Sequence, residues 1–335
     1  MQTVMNNYSV RFRLSENLFL SIVLSICYAT VVVIFPWELI SRDGFPDFDN
    51  YIQNFDYYIS AGTSRVELYE LSTVIQFFTH EVLWNELILT LHGFTGDSAI
   101  SLRIVSFFIL FTFCLFLLRK VGFIYSLLFL INPSVIDLAM SGIRNGLAWT
   151  LIVIALWGRS EIIRFCLFVV SLFIHSSSLV LLILYYLTRT AANYFKERTL
   201  LFIGLSAGVG FGLALTVFNE MVVGAIGDRR SGAEYVVGGD SFKLASIWLL
   251  LIYLQCTSGR KYIKQNIFAI SVMAWYHVMN PFIPGSYRIW AALMPIIALS
   301  VINLPMRKRQ IFLSLYACFL VLRYFYWSHL FNIFD

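Results

Sequence analysis

Two arginines, a histidine and a few carboxylates stand in this chain where an apolar helix would ordinarily carry none. Between Asn132 and Ser178, Asp137, Arg144 and His175 interrupt otherwise apolar sequence. An unpaired charge there costs on the order of several kcal/mol and is rarely kept without a use. Arg144 follows Ser141-Gly142 and precedes Gly146, which places it in the first turn of a new helix. Free N–H groups and the positive end of the helix dipole favour an anion at that point, and a guanidinium adds a planar fork suited to phosphate. Arg288 repeats the arrangement after Pro284-Gly285. The pair would make a clamp for a diphosphate, with Arg103 and Arg230 as further cations for the same anion. The plainer alternative for Arg144 is a structural ion pair with Asp137, seven residues earlier.

His175 is followed by Ser176, Ser177 and Ser178, a helix break that could present it as a general base or as a donor to sugar or phosphate. A histidine satisfied within the core is the competing reading. The candidate acids are Asp49 in the stretch DFDNY (Asp47–Tyr51), Glu81 in the segment after it, and Asp137. An inverting sugar transfer needs one carboxylate or histidine to take the proton of the acceptor hydroxyl, and positive charge to receive a departing diphosphate. Both kinds of group are present. Arg323 also lies in an apolar run, where snorkelling or a tyrosine partner would account for it.

The scaffold that must position these groups is apolar throughout. Of 335 residues 59% are hydrophobic and 13% charged, with a mean hydropathy of +0.77, which excludes an ordinary soluble domain. Long all-round apolar runs, Leu18–Phe35, Ile104–Leu118, Leu200–Phe218, Leu244–Leu254 and Met294–Leu304, predict an all-α, polytopic transmembrane bundle and not a β-barrel. Asn132-Pro133, Ser141-Gly142 and the serines after His175 predict broken, re-entrant helices, tolerated only where protein or a water-filled cavity surrounds the backbone. On this reading residues 1–335 form one integral membrane domain. Residues 36–98 make an outer segment whose 71–95 portion is amphipathic helix, and residues 219–240, containing Asp228-Arg229-Arg230, make a second outer loop.

Lysine and arginine set the orientation. Six clusters near helix ends, from Arg11/Arg13 to Arg307/Lys308/Arg309, hold fifteen of the 24 basic residues. Placed inside, they leave the candidate site on the outer side. The first apolar run is expected to be a retained signal anchor. The net charge of +5 resides in those short clusters, so nucleic acid is not an expected partner. The five cysteines are each isolated in an apolar run and read as small core hydrophobes, neither thiol chemistry nor metal ligands.

The order of these features resembles the EpsG family of Wzy-type membrane polysaccharide polymerases. The resemblance spans most of the chain: an N-terminal anchor, D-N-Y at Asp49–Tyr51, an acidic residue with apolar positions at Glu81–Leu87, I-R-N-G-L-A at Ile143–Ala148, F-I-H-S-S at Phe173–Ser177 and Y-R at Tyr287–Arg288. It implies a GT-C-like glycosyltransferase of the bacterial inner membrane with its site facing the periplasm. Such an enzyme moves a growing glycan from its undecaprenyl diphosphate carrier to a lipid-linked repeat unit, as in O-antigen or similar surface polysaccharide. Membrane lipid and a chain-length regulator protein are the partners implied. No cofactor is expected, and no metal, because the arginines stay charged at any physiological pH and can neutralise the leaving group themselves. A lipid-linked sugar flippase or transporter would also place arginines near mid-membrane, but would more often show internal repeats. A membrane O-acyltransferase would use His175 as its base.

Overall fold

The computed structural model describes residues 17–40, 45–62, 73–158, 160–217, 242–282 and 287–327. Of these 87% are helical and none lies in a strand. In chain order the helices are α1 (Leu18–Ile34), α2 (Pro46–Ala61), α3 (Val74–Thr79), α4 (Val82–Thr95), α5 (Ser98–Lys120), α6 (Phe123–Leu130), α7 (Pro133–Met140), α8 (Ile143–Trp157), α9 (Glu161–Ile174), α10 (Ser178–Tyr194), α11 (Glu197–Val217), α12 (Phe242–Cys256), α13 (Arg260–Met279), α14 (Tyr287–Ala292), α15 (Met294–Ile302) and α16 (Met306–Trp327). By length and composition α5 and residues 197–216 of α11 can each cross a bilayer. The bent pair α6–α7 makes a third if it is counted as one span. The protein is a membrane protein.

Polar residues mark the helix boundaries by chemistry that the sequence carries. Asp97 caps α5 by accepting from Ile100 N at 2.9 Å, and Ser160 caps α9 by accepting from Ile163 N. Thr73 and Gln76 form a reciprocal capping box at α3. Asn132 accepts from Ser134 N at 2.9 Å and donates to the Tyr316 hydroxyl at 2.7 Å. One buried amide thus starts α7 after the proline break, where the chain bends by 66°, and ties it to α16.

Helices α9 and α10 fold back on each other with His175 at the tip. Near the open end, Arg189 of α10 donates to both oxygens of Glu161 at the start of α9, 2.7 Å each. Arg164 donates to Glu161, to Ala155 O at 3.1 Å and to Gly158 O at 2.9 Å, so it also closes the end of α8. Arg189 first and Arg164 second hold the Glu161 carboxyl at about 2. Its contribution is therefore complete above the ordinary carboxylate range and lost only as pH falls toward 2. The half-exposed network adds little stability, but its geometry keeps α8, α9 and α10 in register.

Small residues let α11 lie against α13. A Cβ added at Gly208 would stand 2.2 Å from Ser271 O, at Gly204 2.5 Å from Ile267 Cδ1, and at Gly212 2.7 Å from Val278 Cβ. Backbones at this separation gain dispersion contacts that any side chain would block. The cysteines depart from expectation: all are free, yet only Cys114 is buried, while Cys27, Cys166 and Cys318 lie on exposed helix faces. An apolar lipid phase accepts a thiol as readily as a core does, so apolar context alone does not separate the two.

Gly208→Ala should destabilise the protein by at least the ~1–3 kcal/mol of an overpacked core. Gly210→Ala, where a Cβ meets nothing within 4 Å, should be neutral or slightly stabilising. Thermal unfolding of both variants in detergent checks this, and equal effects would contradict the packing.

Candidate functional site

Glu81 is the end of one turn and the start of another. Helix α3 stops at His80, and Glu81 takes φ 54°, ψ 46° before α4 begins. It is the one non-glycine residue with positive φ among the described residues. That conformation costs on the order of 1 kcal/mol or more for a residue with a Cβ, and persists where its surroundings hold it. Here they do. The side chain is 0% exposed; Oε2 lies 2.6 Å from Arg144 Nη1, and Oε1 lies 2.6 Å from His175 Nδ1 and accepts from Ser176 N at 3.3 Å. One buried carboxylate joins the α3–α4 turn, the start of α8 and the α9–α10 tip.

A second cluster forms around Arg288, the second residue of α14. Its Nη2 lies 2.7 Å from Asp47 Oδ2 and donates to Ser141 Oγ at 3.3 Å, while its Nε is 3.8 Å from Asp137 Oδ2. The Tyr287 hydroxyl donates to the same Asp137 oxygen, and the Arg323 guanidinium sits 5.5 Å from the Tyr287 ring centre. Gly142 makes room for the crossing, since a Cβ there would stand 3.2 Å from Leu138 Cδ1 and 3.4 Å from Arg288 Cδ.

The two clusters share the α7–α8 break. Arg288 rests on Ser141 at its near side, and three residues later Arg144 leaves it toward Glu81. Two cations at one helix break, one of them sharing Glu81 with a histidine, are groups suited to receiving a dianionic leaving group and removing a proton.

Arg144 pairs with Glu81 and Asp137 serves Tyr287 and Arg288, so the alternative of a structural Arg144–Asp137 pair gives way to a pair with a different carboxylate. The reason lies in the break, which turns residues 137 and 144 to different neighbours. Asp49 is exposed on α2, and the α2 carboxylate that reaches the cluster is Asp47. Helical periodicity carries that signal: Asp47, Tyr51, Phe55 and Tyr58 recur at intervals of four, four and three, one face of a helix. Tyr51 and Phe55 on that face pack against Trp84, with ring centres 5.6 and 6.1 Å away, whereas Asp49 points elsewhere. Arg103 is exposed on α5 and makes no ion pair with the cluster among the described residues. Arg230, like the loop 219–240 that holds it, lies outside the described residues. Tyr287 and Ser141 join the site although the sequence marks the first only as half of the Y-R motif and the second only as part of a helix break.

The chain matches the model of the EpsG family over residues 14–334. No curated protein matches it, and no solved structure does.

Glu81→Ala should cost about 3–5 kcal/mol, as expected when one partner of a buried ion pair is removed and the other is stranded. Adding Arg144→Met should restore a substantial part of that loss. Thermal or denaturant unfolding of the two single variants and the double variant tests this, and strictly additive losses would show that the pair is not coupled.

Proposed function

Because the chain belongs to the EpsG family, whose members are Wzy-like polysaccharide polymerases, we propose that it extends a surface glycan on the periplasmic face of the inner membrane. The growing chain is donated from an undecaprenyl diphosphate carrier to the sugar of a lipid-linked repeat unit. The observation that carries the reading is the meeting of a buried Arg144–Glu81–His175 cluster and a second arginine, Arg288, at one helix break.

The roles follow from how firmly each group is held. Glu81 is fully buried and engaged on both oxygens, so it serves as the positioning residue that fixes the His175 ring through Nδ1. His175 takes the acceptor proton. The acceptor oxygen attacks the anomeric carbon of the donor sugar, a C–O bond forms, and the bond from that carbon to the phosphate oxygen breaks. The electron pair leaves with the carrier diphosphate, and the proton goes to the imidazole. The configuration at the carbon inverts in this single displacement. Arg288 receives the diphosphate: its partner Asp47 has a side chain 38% exposed, and such a pair is weak enough to exchange for a stronger anion. Arg144, anchored by Glu81, adds its positive charge at the same break. The arginines supply the positive charge that the leaving group requires.

Arg288→Ala and His175→Ala should each abolish chain extension, by ~100-fold or more, with the protein still in the membrane and single repeat units left on the surface. Arg288→Lys should also be impaired, because a point charge cannot make the bidentate contact. Gel analysis of extracted glycan reports all three, and normal long chains in any of them would remove that residue from the mechanism. In a cysteine-free background, Asn50→Cys should react with a membrane-impermeant maleimide in intact spheroplasts, and Lys196→Cys only after permeabilisation. The opposite pattern would overturn the orientation.

A further inference from the structure

The structure has a crevice in which Tyr287 is joined by Trp248, Tyr276, Asn280, Trp290, Phe319 and Arg323. Its free volume is about 10 Å³, room for roughly one oxygen-sized group. Trp248 is 0% exposed and Trp290 2% exposed, with ring centres 4.6 Å apart. The indole N–H of each is buried without a hydrogen-bond partner, and so is Arg323 Nε. Arg288 Nε, two residues before Trp290, has no hydrogen bond either. These groups donate and cannot accept. The carbonyl oxygen of Asn280 is engaged by the Tyr276 hydroxyl at 3.0 Å, and the Tyr287 hydroxyl is spent on Asp137.

An unmet donor in a dry site carries a full desolvation cost, and three of the residues that line the crevice, Trp248, Trp290 and Arg323, each carry one. From this we infer that the crevice is an acceptor subsite that takes one anionic oxygen of the substrate, held by Arg323 and the two indoles beside the Arg288 seat. The inference rests on the polymerase reading and extends it: Arg323 becomes a third substrate-binding arginine, and the aromatic box around it excludes water from the oxygen. Charge distribution supports an anion. Arg288 and Arg323 flank Tyr287 together, 6.0 and 5.5 Å from its ring centre, and one of the carboxylates that balances them, Asp47, is the exchangeable one. The oxygen has two possible sources, a phosphate of the carrier diphosphate or the carboxylate of an acidic sugar.

The test is calorimetric titration of the full-length protein in lipid nanodiscs with inorganic pyrophosphate and, separately, glucuronate. Arg323→Lys retains charge and loses the N–H fork; Trp290→Phe retains a ring and loses the indole donor. Each should bind pyrophosphate about tenfold more weakly than wild type, with unchanged thermal stability for Arg323→Lys. If glucuronate shows that dependence and pyrophosphate does not, the acceptor subsite stands and its oxygen belongs to the sugar. If both variants bind either probe as wild type does while Arg288→Lys binds more weakly, the subsite is wrong and the Arg288 seat survives. If all three variants match wild type, both fall.

Discussion

A single carboxylate with no access to solvent decides how this protein is arranged. Glu81 can remain ionised within an apolar bundle only if its charge is answered and its lone pairs are filled, and Arg144, His175 and the Ser176 amide do both. These partners come from two interruptions of the chain, and the carboxylate itself from a third. The interruptions are therefore mutually dependent: the α3–α4 turn adopts a left-handed conformation, the α7–α8 break exposes the first turn of α8, and the α9–α10 tip leaves the helical register, all to reach one point. Removing the carboxylate would take from a largely buried guanidinium the charge that answers it at 2.6 Å.

The rest of the bundle supplies rigidity around that point. The hairpin α9–α10 carries His175 at one end and is pinned at the other by Glu161, Arg164 and Arg189, so the histidine stands on a lever fixed at both ends. Helix α8 is closed by Arg164 at its far end and opened by Gly142 at its near one. Arg288, by contrast, is held through a partly exposed carboxylate on α2. The firm half of the site suits a group that must be oriented, and the exchangeable half suits a group that must admit and release an anion.

Composition made the helical membrane class legible at once, and the proline, glycine and serine interruptions marked the places where helices break. Arg144, Arg288 and His175 stood out because charge inside apolar sequence is expensive. The pairing among them was not legible. Glu81 lies 63 residues before Arg144 and 94 before His175, and no local pattern states which distant carboxylate a buried arginine will meet. Asp47 against Asp49 was decidable from helical phase, given that Tyr51 and Phe55 must be inward. Nearness in sequence offers Asp137 as an alternative partner for Arg144, and such nearness fails across a helix break. Trp248 and Trp290 stand in apolar sequence, and their place on the crevice together with N–H groups that lack partners gives them another meaning.

On the proposed mechanism the α7–α8 break is where a lipid-linked diphosphate is held and where His175 meets the acceptor. An electron cryomicroscopy structure in nanodiscs with an undecaprenyl-diphosphate-linked repeat unit bound tests it most directly. Phosphate density is expected within hydrogen-bonding distance of Arg288, in the place of the Asp47 carboxylate, with the His175 imidazole facing the adjoining sugar. Phosphate density at the opposite pole, beside Arg164 and Arg189, with the Arg288–Asp47 pair intact, would contradict it.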